Sequence, residues 1–398
     1  MPFNIIILIN LYFSGEIFAY SGLIDWMTLS YIRCAIIIVL AAIIFQFTKF
    51  SNAKFNKSIW IGILFMFYML FHLFMPGNVY TIGRFINSVI LNIIVFYISL
   101  LYLSYKYPNN YDYFISKVFE LNLYLLLIMA VLVFKNDFSF GTRLGEYEGS
   151  IFSQSGWSRL GCFLSIFSLI NIFEKKRKLI NALFLLLGLI IMFWAFSKTQ
   201  IIAFIGVLIF LLYFKFKFST KLFLLLIGII VILYLSFDIL LARFDILYDS
   251  SSLETFTGRT YIWESTWKMI LHNPWGYGYN AAFSLGYIGN SNLIAGQAHN
   301  LVLQLLVQIG FVGTFLILLN YILLLIKYSR RLNAQYNPYL MRNYSFLLYM
   351  GINGIGVGSF GLFGNFEIIA LLFLFASPIF IMKYKKHVGI VRLTNKKK

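Results

Sequence analysis

Apolar runs of about twenty residues recur along almost the whole of this chain, and no other feature restricts its fold so strongly. A run of that length is what a helix needs to cross the hydrocarbon of a bilayer, roughly 30 Å at 1.5 Å per residue. Inside hydrocarbon every backbone N–H and C=O must find a partner within the protein, which leaves helices and closed barrels. The runs are continuously apolar and lack the period of two that a barrel strand needs. The fold class that follows is all-α, a polytopic integral membrane protein. Composition agrees, since 61% of the 398 residues are hydrophobic and 12% charged. That charged share is about half that of an ordinary soluble domain.

About twelve transmembrane helices are expected, near 3–20, 28–47, 58–75, 85–104, 115–134, 155–173, 178–196, 200–214, 221–241, 300–326, 343–360 and 366–384. The first run has no Lys or Arg before Arg33, so it lacks the positive start of a cleaved leader and reads as a retained helix. The chain is read as one membrane domain over 1–398, interrupted by a large periplasmic loop at 242–299. Cys34 and Cys162 both lie within apolar runs and suggest neither a disulfide framework nor a metal site.

Charge orients the chain. With the N-terminus inside, the segments 48–57, 105–117, 174–178, 215–221, 327–342 and the tail from 383 hold 23 of the 32 Lys and Arg. Such a bias marks cytoplasmic loops. Both termini are then cytoplasmic, and the net charge of +18 reports membrane orientation. It is not a nucleic-acid footprint, and nucleic-acid binding is set aside. The other nine, Arg33, Arg84, Lys135, Arg143, Arg159, Lys198, Arg243, Arg259 and Lys268, run against the bias. A shared anionic ligand explains such a set; contact with lipid headgroups is the plainer reading.

Two outer connections are long, 135–154 and 242–299. The second contains GRTYIWESTWKMILHNPWGYGY, in which Trp263, Trp267, Met269, Ile270 and Leu271 suggest one face of an interfacial helix, ended by Pro274 and Gly276. A loop of that length in a compact protein is usually a functional element. The string GVGSFG at 356–361 satisfies a nucleotide-binding pattern, but it lies in an apolar span and not between a strand and a helix. Close helix packing through small residues is the better reading.

The stretch GQAHNLVLQLLVQIGFVG, 296–313, places His299 and Asn300 at the mouth of a span, with Gly310 and Gly313 inside it. That pattern resembles the signature of the O-antigen ligase and O-antigen polymerase (Wzy-type) superfamily of membrane glycosyltransferases. GRTYIW with Arg259, the following HNPWGYGY, and SKT at 197–199 are similar to further elements of that family. The similarity spans about 140–330. Lys198 departs from the usual arginine, and Gln308 from a frequent glutamate.

The resemblance implies a metal-independent enzyme without cofactor at the periplasmic face of the bacterial inner membrane. Its substrate would be an undecaprenyl-diphosphate-linked oligosaccharide, and a chain-length regulator is a candidate partner. The first expectation is a polymerase that joins repeat units with inversion and releases undecaprenyl diphosphate. A ligase transferring the glycan to lipid A-core, and a lipid-linked oligosaccharide flippase, are the alternatives. His299 is the candidate general base, because imidazole titrates near neutrality. Arg259 is the first candidate to stabilise the leaving diphosphate, followed by Lys198, Arg143, Arg84 and Arg159. Asn300, Trp263, His272 and Tyr279 are candidate sugar contacts. His72 and His387 rank lower, as a core group and a tail residue.

Overall fold

A computed structural model describes residues 7–8, 25–47, 68, 111–138, 143–145, 153–216, 259–277, 298–334 and 336–356. Among these residues every regular element is a helix. They are α1 (Trp26–Phe47), α2 (Tyr111–Asp137), α3 (Gln154–Phe173), α4 (Lys178–Ala195), α5 (Lys198–Phe216), α6 (Arg259–His272), α7 (Leu301–Ala334) and α8 (Pro338–Gly354). The spans expected near 85–104, 221–241 and 366–384, and nearly all of those near 3–20 and 58–75, lie outside the described residues, as do Arg84 and Tyr279.

Helices α2, α3, α4, α5 and α7 are long and apolar enough to cross a membrane. Their outward sides are what a lipid-facing surface requires: Leu179, Leu183, Leu186 and Ile190 of α4 are all exposed. α3 and α4 approach closely because glycines remove the side chains between them. A Cβ on Gly161 would sit 2.5 Å from the Gly188 carbonyl oxygen, and one on Gly188 would sit 2.5 Å from Ser165 Oγ. This is the small-residue packing that substitutes for hydrophobic drive inside a bilayer.

α8 is the central strut. Arg342, Phe346, Tyr349 and Asn353 recur at helical spacing and form one buried stripe along it. Phe346 meets Phe119 of α2 and Phe163 of α3, while Tyr349 meets Phe163 and hydrogen-bonds Gln200 of α5. At one end of the bundle Arg342 donates to Asn171 and lies 3.5 Å from Glu120. There Arg331 of α7 pairs with Asp112 of α2 at 2.5 Å. Arg342 and Asp112, the two buried members, are thus each paired, as burial demands.

α7 is broken at Gly310, which takes φ +67 and ψ −175. That conformation is open essentially to glycine alone. The break leaves helical backbone groups without their usual partners, and the segment after α6 supplies them. Tyr277 N–H donates to Val307 O at 2.9 Å, and Phe311 N–H donates to Pro274 O at 3.0 Å. Tyr68 Oη donates to Ile309 O at 2.5 Å. The fit allows no side chain on either glycine: a Cβ on Gly310 would lie 2.3 Å from the Trp275 carbonyl carbon, and one on Gly276 would lie 2.5 Å from Gly310 N. Gly310→Ala is therefore expected to destabilise the protein by about 2–3 kcal/mol. Gly313→Ala is the control, since its Cβ meets the ring of Tyr68 and the side chain of Ile309, not backbone. Thermal unfolding in detergent checks this; equal midpoints for the two variants would contradict the backbone latch.

Candidate active site

Three helices, α3, α5 and α7, begin at the end of the bundle where α2, α4 and α8 finish. The first residue of α5 is Lys198, and the residues before α7 are His299 and Asn300. α6 brings its own start to the same place, since Arg259 Nη1 donates to the carbonyl of Gly356, just past α8, at 3.0 Å. Helix starts carry unpaired N–H groups and partial positive charge, the arrangement that receives phosphates.

The flanks of His299 are clamped. Ala298 N–H donates to Gln304 Oε1 at 2.8 Å, and its carbonyl accepts from Trp263 Nε1 at 2.9 Å. Asn300 Oδ1 accepts from the N–H groups of Val302 and Leu303 at 3.0 and 3.2 Å, capping α7, while its Nδ2 donates to Ile355 O at 3.1 Å. Between these anchors His299 holds φ +50, a left-handed conformation rare for residues other than glycine. The backbone at His299 is thus held from both sides, and strain of about 1 kcal/mol is retained at this residue.

Arg259 links this residue to the other cations. Arg143 and Arg259 both act electrostatically on Lys198, and Arg259 acts on His299. Arg143 is buried and gives Nη1 and Nε to the Gln154 side-chain oxygen at 3.0 and 2.9 Å, tying it to the start of α3. Burial, and then the Arg259 charge, hold the His299 pKa below the ordinary histidine value. Both causes disfavour the imidazolium, so the ring is neutral and able to accept a proton at pH 7.

Of the sequence-predicted residues, His299, Arg259, Lys198 and Arg143 come together. Arg159 lies in the second turn of α3, buried within the bundle. Asn300 and Trp263 are engaged in holding backbone, and His272 is exposed at the last residue of α6. The single apolar face expected for α6 is divided. Ile262, Met269 and Ile270 pack with Leu303, Leu306 and Val307 of α7, whereas Trp267 and Leu271 are exposed on another side. Packing on α7, not the interface alone, orients this helix. Sequence reasoning missed Gln304, whose amide fixes Ala298, and Asn353, which is fully buried in the last turn of α8. A polar residue one helical turn past the His–Asn pair was the available signal for Gln304.

No group of three or more His, Cys, Asp and Glu that could hold a metal occurs among the described residues. A helical membrane bundle with a clamped neutral histidine amid arginines and a lysine, at the convergence of helix starts, is suited to handling an anionic lipid head. Residues 183–318 match the family model described as O-antigen ligase, so over that segment the chain is similar to the O-antigen polymerase and ligase superfamily. The matched segment holds Lys198, Arg259 and His299. It supports a membrane glycosyltransferase-like activity of the O-antigen ligase or polymerase type. No curated protein matches the chain.

Proposed function

We propose that the chain is a surface-polysaccharide polymerase that transfers a growing glycan from undecaprenyl diphosphate to the next lipid-linked repeat unit at the periplasmic face. The observation that carries this reading is the placement of neutral His299 within the field of Arg259, in a cluster with Lys198 and Arg143. His299 accepts the proton of the acceptor hydroxyl as that oxygen attacks the anomeric carbon from the face opposite the diphosphate. The anomeric C–O bond breaks, its electron pair leaves with undecaprenyl diphosphate, and the configuration inverts. Arg259, Lys198 and Arg143 stabilise the departing charge, the kind of preorganised electrostatics that contributes most in a water-poor site.

The charge bias supports the orientation. The EKKRK turn between α3 and α4 and the Arg330–Arg331 pair lie at the end of the bundle away from His299, as a cytoplasmic face would have them. A ligase that transfers the glycan to lipid A-core is the second reading, favoured by the family description that the segment matches. The polymerase is preferred because Lys198 and the loop depart from the pattern expected of ligases.

Purified protein in proteoliposomes, given an undecaprenyl-diphosphate repeat unit, is expected to yield a ladder of glycans and released undecaprenyl diphosphate, in chelator as well as in buffer. A product formed only when lipid A-core is added would assign the ligase. Translocation of the lipid without cleavage of its glycosidic bond would overturn the enzymatic reading in favour of a flippase.

A further inference from the structure

Neither amide atom of Asn353 has a hydrogen-bond partner among the described residues, although the side chain is fully buried. Its register fixes where it lies. A Cβ on Gly356 would touch Thr199 Cγ2 at 2.6 Å, and one on Gly206 would touch Ile352 Cδ1 at 2.5 Å, so Asn353 stands at the level of the first turns of α5. It is one turn beyond Tyr349, on the buried stripe that faces α3 and α5. At that level the Gln200 side-chain nitrogen is also buried without a partner. Both amide atoms of Asn353 and the nitrogen of Gln200, whose oxygen accepts from Tyr349, are thus unpartnered within the first three turns of α5.

Asn353 is followed directly by the end of α8. Its last carbonyls, of Ile355 and Gly356, accept from Asn300 Nδ2 and Arg259 Nη1. Those two donors are the ones a diphosphate would compete for, since a charged oxygen is a stronger acceptor than a peptide carbonyl. A buried polar group without a partner costs stability, and such a cost is retained where function uses the group.

We propose that Asn353 is a further binding residue for the lipid diphosphate: the ligand takes Arg259 and Asn300 from the end of α8, and the Asn353 amide then donates to a phosphate oxygen. This rests on the donor class assigned above and adds to it a residue of α8, outside the segment that matches the family. The Gln200 side-chain nitrogen, also buried without a partner in the first turn of α5, is the next donor to test.

The test measures binding of undecaprenyl diphosphate to the full chain in nanodiscs, together with thermal unfolding. Asn353→Leu keeps the volume and removes both orphaned atoms. The expected result is about 10-fold weaker binding, with an unfolding midpoint equal to or above that of the parent. Asn353→Ala reads the same binding step should leucine prevent insertion. Unchanged affinity in a folded variant overturns the proposal, and so does a lowered midpoint that parallels the lost affinity. Failure of the parent protein itself to bind undecaprenyl diphosphate, with Arg259→Ala indistinguishable from it, would sink the functional reading and not this residue alone.

Discussion

His299→Ala is expected to lower glycan transfer by about 100- to 10,000-fold, the range for loss of a general base, while the protein stays inserted and folded. His299 has φ +50, so asparagine, which tolerates that backbone, is the better control for fold. Two features make the loss specific to proton transfer. The ring is held neutral by burial and by the Arg259 charge, and its neighbours are pinned by Trp263, Gln304 and the Asn300 cap. A pH profile separates the base from a residue that only packs. Because the folded-state pKa is depressed, kcat/KM should be level through neutrality and fall on the acid side only below the ordinary value of about 6.5. The sign for stability is the same. The unfolded chain takes up this proton first as pH falls, so the folded state loses ground in that window. Full activity in His299→Asn, or an acid limb above the ordinary value, would remove the imidazole from the mechanism.

Arg259→Lys is expected to cost about 100-fold in kcat/KM, and Arg259→Ala somewhat more, in the range found for preorganised oxyanion donors. Lysine keeps the charge, yet it lacks the planar fork that grips two phosphate oxygens. Arg259 also bonds the Gly356 carbonyl, so part of any loss could arise from a loosened α8. Thermal unfolding separates the two contributions: a chemical role predicts a large rate loss with a small change in midpoint. Lys198→Arg, which keeps the charge and adds a fork able to grip two oxygens, should by contrast keep or raise the rate. An Arg259→Ala variant within about threefold of the parent would contradict the assignment of the leaving-group site.

Among the described residues, apolar length placed α3 and α4 best. The expected spans at 155–173 and 178–196 differ from α3 and α4 by about one residue at an end, because a turn of charged residues at 174–178 leaves little freedom of boundary. Apolar length placed α7 and α8 less well. The run from 300 was expected to end near 326 but continues as helix to Ala334, and the span expected to reach 360 ends its helix at Gly354. Hydropathy marks the edge of an apolar stretch, and a helix can outlast that edge or stop before it.

At the site, the charged residues that the structure brings together were legible and the supporting ones were not. His299, Arg259, Lys198 and Arg143 could be picked out because charge at a membrane face is costly and therefore conspicuous. Asn300 was picked out as a candidate sugar contact, and its role as the cap of α7 was not foreseen. A cap and a ligand contact use the same amide, and only tertiary placement distinguishes them. The two glycines of the latch were visible as motif positions, but their purpose depends on a contact between Gly276 and Gly310, 34 residues apart. No periodicity encodes such a contact.

The broken α7 also has a consequence for anyone recombining this protein with its relatives. The bonds from Tyr277 N–H to Val307 O and from Phe311 N–H to Pro274 O make the segment after α6 part of the backbone of a membrane helix. A graft that exchanged residues 242–299 alone would separate two halves of one hydrogen-bonded unit. Segments exchanged between homologues should therefore extend through residue 311, with both halves of the junction inherited from a single parent.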